Sequence, residues 1–115
     1  MSNRVSDPEE SKRVLNEHLP EHWPETVRKL KVVLDNYKVQ TEVTSYFESD
    51  MCTSPLLTEL IFREYKRFLL LVSLADKDYT FIPSHYIKVA WENHIVQTSL
   101  YRSFCYTVFG KFIHS

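Results

Sequence analysis

Residues 53–74 read TSPLLTELIFREYKRFLLLVSL, and this stretch decides the fold. Ser54 can accept a hydrogen bond from one of the free N–H groups that open a helix. Pro55 has the fixed φ and missing N–H that suit the first helical position. Leu57, Leu60, Ile61, Phe68, Leu71 and Val72 then recur at helical spacing and make one stripe. From Phe68 to Val72 every residue is apolar, so the second part of this helix is expected to be covered on most sides. A helix of that kind belongs at the centre of a domain.

Further elements follow on its C-terminal side. Asp76 to Ile82 reads as a connection; Tyr79 to Ile82 has strand character but no second strand to pair with. Pro83-Ser84 starts another helix, on which Ile87, Trp91, His94 and Ile95 share a face. Thr98 is expected to cap a last helix whose buried face is Tyr101, Cys105, Val108 and Phe112, flanked by Phe104 and Phe109. Gly110, the one glycine in the chain, falls where that helix ends.

On the N-terminal side, a helix is expected from about Pro24 to Gln40, with Val27, Leu30, Val33, Leu34 and Tyr37 at helical spacing. Thr41 to Ser49 fits either a helix or an extended piece. Asp7-Pro8-Glu9-Glu10 has the form of a capping box and opens a short helix to about Leu19. Pro20 and Pro24 bracket a turn that carries Trp23. The expected fold is all-α: a compact four- to five-helix bundle with an irregular, Pro-punctuated N-terminal region.

The charge pattern divides the chain. Residues 1–61 carry 7 basic and 11 acidic side chains, and residues 62–115 carry 7 and 4. Of the 16 aromatic residues, 12 lie between positions 62 and 112, so the core is expected to centre there. This suggests an acidic helical region over 1–50 that clads the core or faces a partner, and a helical core over 51–115. Trp23, Tyr37, Tyr46 and Phe47 are the large side chains that the first region offers to a partner.

The net charge of -1 over 115 residues argues against a nucleic-acid binder, and a single glycine leaves no phosphate-cradling loop. The longest apolar stretch, Phe68 to Ala75, is interrupted by Ser73 and is far short of the ~20 residues of a membrane span. Met1 to Arg13 has no apolar run and carries Asp7, Glu9 and Glu10, unlike a secretory signal or an acid-poor transit peptide. Cys52 and Cys105 have no metal-type spacing and read as reduced thiols. The expected location is intracellular, in the first place cytoplasmic, with an organelle such as the mitochondrion left open.

Candidate chemistry is sparse. His94 on an apolar face is either a ligand or base, or a core histidine bonded to a carbonyl or a tyrosine; no second histidine sits at i+4. Cys105 with His94 could form a thiolate–imidazole pair, but Phe104, Tyr106 and Phe109 surround the thiol in sequence and favour a small core residue. His18 and His22 are separated by Pro20, which breaks the helix their spacing would need. Glu59, Arg63, Glu64, Lys66 and Arg67 form a mixed-sign face, with Glu59 and Arg63 placed to pair and Lys66 and Arg67 as conceivable phosphate contacts.

Two segments, EYKRFLLL (64–71) and IPSHYIKVAWENHIVQTSLYRSFCYTVFGKFIHS (82–115), carry a resemblance. Over residues 60–115 the order of landmarks resembles the glycine-rich domain-containing protein-like family. Tyr65, Phe68, Leu69, Pro83, Ser84, Ile87, Trp91, Thr98, Tyr101, Cys105, Phe109, Gly110 and Phe112 match its framework. Its polar positions are mostly replaced. Lys88 and Gln97 stand where the family has Asp, and Glu92 and Ser115 where it has His; His94 and His114 remain. The resemblance implies a helical fold whose polar site is largely lost.

No complete catalytic constellation is present, and no cofactor is implied. The expected function is that of a non-catalytic structural or interaction protein, a small accessory or scaffold subunit held by protein partners in a larger complex. The alternative is a metal- or small-ligand-binding domain, or an enzyme relic, centred on His94 and His114 with Glu92 as an oxygen ligand. Glu92 and His94 lie ~200° apart around a helix, which weighs against it.

Overall fold

Ser54 opens the longest helix in the way its sequence indicates. In the computed structural model, which describes residues 23–75 and 80–115, Ser54 is extended (φ -72°, ψ 160°) and its Oγ accepts the Leu57 N–H at 3.1 Å. Five helices lie among the described residues: α1 (Trp23–Asn36), α2 (Thr41–Met51), α3 (Pro55–Leu74), α4 (His85–Val96) and α5 (Thr98–Val108). Helix α3 packs on α1, α2 and α4; α4 also meets α2 and α5, and α1 meets α5. The fold is all-α, with no strand among the described residues. No described helix is long and apolar enough to cross a membrane. The helix expected at 7–19 and the histidines His18 and His22 lie outside the described residues, as does Asp76–Tyr79 in the connection.

The buried face of α3 is rotated from the expected stripe. Thr58, Ile61, Phe62, Tyr65 and Phe68 to Leu71 are buried, whereas Leu57 and Leu60 are 39% and 41% exposed. The ladder that runs back from Tyr65 reaches Phe62, Ile61 and Thr58; Leu57 and Leu60 belong to the adjacent row. Thr58 is tolerated in the core because its Oγ1 donates to Ser54 O at 2.8 Å and shares a 2.7 Å hydrogen bond with Thr53 Oγ1. The continuous apolar run from Phe68 to Leu71 is covered, as its composition requires.

The ambiguous segment 41–49 is helical. Val43 and Phe47, one turn apart, are fully buried, and Phe47 meets Phe62 edge-on at 5.3 Å. That burial outweighs the β-branched content of α2. Cys52 ends the helix in the left-handed region at φ 55°. Helix α1 stops at Asn36, four residues earlier than expected, and Val33 is exposed because Val27, Leu30 and Leu34 form its inward face. The core is one cluster running from Val27 to Ile113, so residues on both sides of position 50 build it.

Lys66 explains where α1 ends. Its ammonium donates to the carbonyls of Leu34 at 3.0 Å and Tyr37 at 2.8 Å at the helix C-terminus, where Leu34 O also accepts the Tyr37 N–H at 3.2 Å. Burial pushes its pKa down, while Asp35 opposes that shift. On the same face Arg67, rather than Arg63, takes a carboxylate: Arg67 Nη1 lies 3.4 Å from Glu64 Oε2. The Lys66 ammonium, read in the sequence as a surface cation, is thus engaged within the fold.

At α4, Ser84 is the cap, with Oγ 3.4 Å from the Ile87 N–H. Thr98, expected to cap α5, is instead its first residue. Gln97 holds the junction, and Thr98 Oγ1 donates back to Ile95 O at 3.3 Å. Helix α5 ends at Val108, and Gly110 takes a positive φ of 71°, the conformation only glycine adopts without strain. The tail then doubles back. Phe112, expected on α5, lies beyond it and still packs edge-on against Tyr101 at 5.3 Å.

Lys66→Met is expected to lower unfolding free energy by about 1–3 kcal/mol, because Tyr37 O loses its donor and Leu34 O keeps only the Tyr37 N–H. Urea denaturation beside the exposed control Arg63→Met checks this; equal midpoints for the two variants contradict it.

Candidate functional site

His94, on α4, is fully buried. Helix α4 presents it to α3, where Tyr65 Oη and His94 Nδ1 share a hydrogen bond of 2.8 Å. Three rings enclose the imidazole: Tyr101 and Phe104 with centroids at 5.1 Å each, and Tyr65 at 5.7 Å. Nε2 is buried without a hydrogen-bond partner. A charged imidazolium would therefore carry an unanswered N–H into an aromatic enclosure. Burial alone lowers the His94 pKa from 6.5 to about 4. Of the two readings of this residue, the geometry matches a core histidine bonded to a tyrosine.

A second chain of hydrogen bonds ties down the tail. Trp91 Nε1 donates to Tyr101 Oη at 2.9 Å, and Tyr101 Oη donates to Ile113 O. Burial raises the pKa values of Tyr65 and Tyr101, so both phenols stay protonated. Cys105 is fully buried, and burial pushes its thiol up as well. A nucleophilic cysteine needs the opposite shift and access to substrate. Cys105 is a core residue.

The candidate ligands do not assemble. His94 is in the core; Glu92 is on the outer face of α4; His114 is exposed, its ring 4.7 Å from Phe112. Among the described residues no three His, Cys, Asp or Glu side chains come close enough to hold a metal ion. The candidate partner contacts separate too. Phe47 is in the core, Tyr37 is half-buried with its ring 5.0 Å from Phe104, and Tyr46 is exposed. The Trp23 side chain lies outside the described residues.

An open groove of about 480 Å³ runs along the outside of α4, lined by Ile82, Pro83, Lys88, Trp91, Glu92, Ile95, Val96 and Ser115. Ile82 and Val96 are 67% and 75% exposed. Positions 88, 91, 92, 95 and 96 form an outer stripe at i, i+3, i+4, i+7 and i+8. That spacing was visible in the sequence, but the inner row of Ile87 and His94 shares Trp91 and Ile95 with it and masks it.

The neutral state of His94 gives a signed pH dependence. Its folded pKa lies below its unfolded one, so the unfolded chain takes the proton first. This stabilisation is complete above about 6.5 and is lost as pH falls towards about 4. Wild type is expected to lose about 3 kcal/mol relative to His94→Leu between pH 7 and pH 4. Urea unfolding across that range checks it; a constant difference between the two proteins contradicts it.

The model of the UCP032817-like family matches residues 28–115. No curated protein and no solved structure matches the chain. The family match takes in α2 to α5 whole, most of α1, the His94 enclosure and the groove. The chain belongs to the UCP032817-like family.

Proposed function

We propose that this chain is a non-catalytic interaction protein, a small accessory or scaffold subunit that docks into a larger assembly. One observation carries the reading: the polar and thiol groups gathered in the core are consumed by packing. His94 is neutral and bonded to Tyr65, Tyr101 is bonded to Trp91 and Ile113, and Cys105 is enclosed. What the molecule offers to solvent is an open, largely apolar groove.

The resemblance to the glycine-rich domain-containing proteins supports the same reading. Lys88, Glu92 and Ser115 replace three of that family's polar residues, and all three line the groove. We read this as a relative that has kept the frame and exchanged a polar site for a contact surface. Cys52 and Cys105 are both free thiols, which supports a reducing compartment.

Native mass spectrometry of the chain isolated gently from its source is expected to give a stoichiometric complex with a different protein. A chain that carries no other protein, or one that consumes a small molecule when mixed with a metabolite extract, contradicts the proposal.

A further inference from the structure

The outer face of α4 combines an apolar surface with two opposite charges in a particular order. Lys88 and Glu92 lie one turn apart, about 6 Å along the helix axis. Both are exposed, and neither forms an ion pair among the described residues, although i,i+4 spacing would let them meet. Beside them run half-buried Trp91 and Ile95, with Val96 and Ile82 standing out at opposite ends of α4.

That order is self-complementary under a two-fold axis. Two copies of α4 laid antiparallel, with the axis level with Ala90, set Lys88 of each copy against Glu92 of the other. The same axis brings Ile95 and Val96 of one copy alongside the segment with Ile82 and Pro83 of the other. Each apolar end then covers its counterpart, and the two Trp91 rings fall at the centre. Contacts of this kind, in which residue i meets j and j meets i, define an isologous dimer interface. We propose that the α4 groove is the interface of a homodimer, and that its occupant is α4 and the Ile82–Pro83 segment of a second copy. The inference rests on the contact-surface reading above and gives that surface to a second copy, so a different protein would meet another face of the dimer; a monomer that still carries a different protein overturns the dimer and leaves the subunit role standing.

Sedimentation velocity of the full chain tests it. A single helix face makes a small interface, so the dimer is expected to populate towards about 100 µM protein. The species expected there has twice the 13.7 kDa chain mass. Lys88→Glu or Glu92→Lys alone places like charges across the axis and is expected to weaken dimerisation by about tenfold or more. The double exchange, Lys88→Glu with Glu92→Lys, restores opposite pairing and is expected to restore the dimer. Both positions are exposed, so each variant should keep its helical circular dichroism. Leu60→Glu, on the exposed row of α3, should leave dimerisation unchanged. A strictly monomeric wild type overturns the proposal. So does a dimer that both single exchanges leave intact, a double exchange that fails to restore it, or a dimer lost with Leu60→Glu.

Discussion

The hydrogen bond between Tyr65 Oη and His94 Nδ1 joins the two helices that touch most of the others. It is made where water does not reach, so each partner depends on the other. Removing one leaves a buried polar atom unanswered, at a cost of about 1–3 kcal/mol. The bond also fixes the rotation of α4 about its own axis. With His94 turned to α3, the indole of Trp91 reaches Tyr101, and Lys88 and Glu92 point outward. The core and the groove are therefore two sides of one placement of α4.

Rings do most of the filling around that bond. Phe47 on α2, Phe62 and Tyr65 on α3, and Phe104 on α5 follow one another in edge-on or stacked contacts, and Tyr37 beyond α1 closes the set. Each such pair adds ~0.5–1.5 kcal/mol beyond the area it buries. Every helix thus contributes to a single enclosure, directly or through a residue at its end. Acid–base chemistry requires a group whose charge can change at working pH. In this enclosure burial holds His94, Tyr65, Tyr101 and Cys105 in their neutral forms.

Much of this was legible in the residues. Ser54-Pro55 and Pro83-Ser84 named the starts of α3 and α4, because a cap is a local hydrogen bond that depends on neighbours in sequence. Cys105 read as a core residue from the apolar residues around it, and for His94 a core histidine was one of two readings. Other features depended on elements far apart in the chain. Lys66 looked like a surface cation until its reach across to Leu34 and Tyr37 was seen. Phe47 looked available to a partner because Phe62 lies fifteen positions away. The rotation of the α3 face turned on Phe62 and Tyr65 winning the inward row over Leu57 and Leu60, a contest that volume decides and spacing alone does not. In the same way, the α4 groove needed Ile82 and Val96 to be brought to two ends of one surface.

The central claim is that the second half of the chain closes a dry, ring-packed core around an uncharged imidazole. Long-range proton–nitrogen NMR of the His94 ring tests it most directly, because the two nitrogen shifts report charge and tautomer together. The account predicts one neutral tautomer that persists through the usual histidine range and gains a proton only near about 4. A ring that titrates near its unperturbed value of about 6.5 would contradict it.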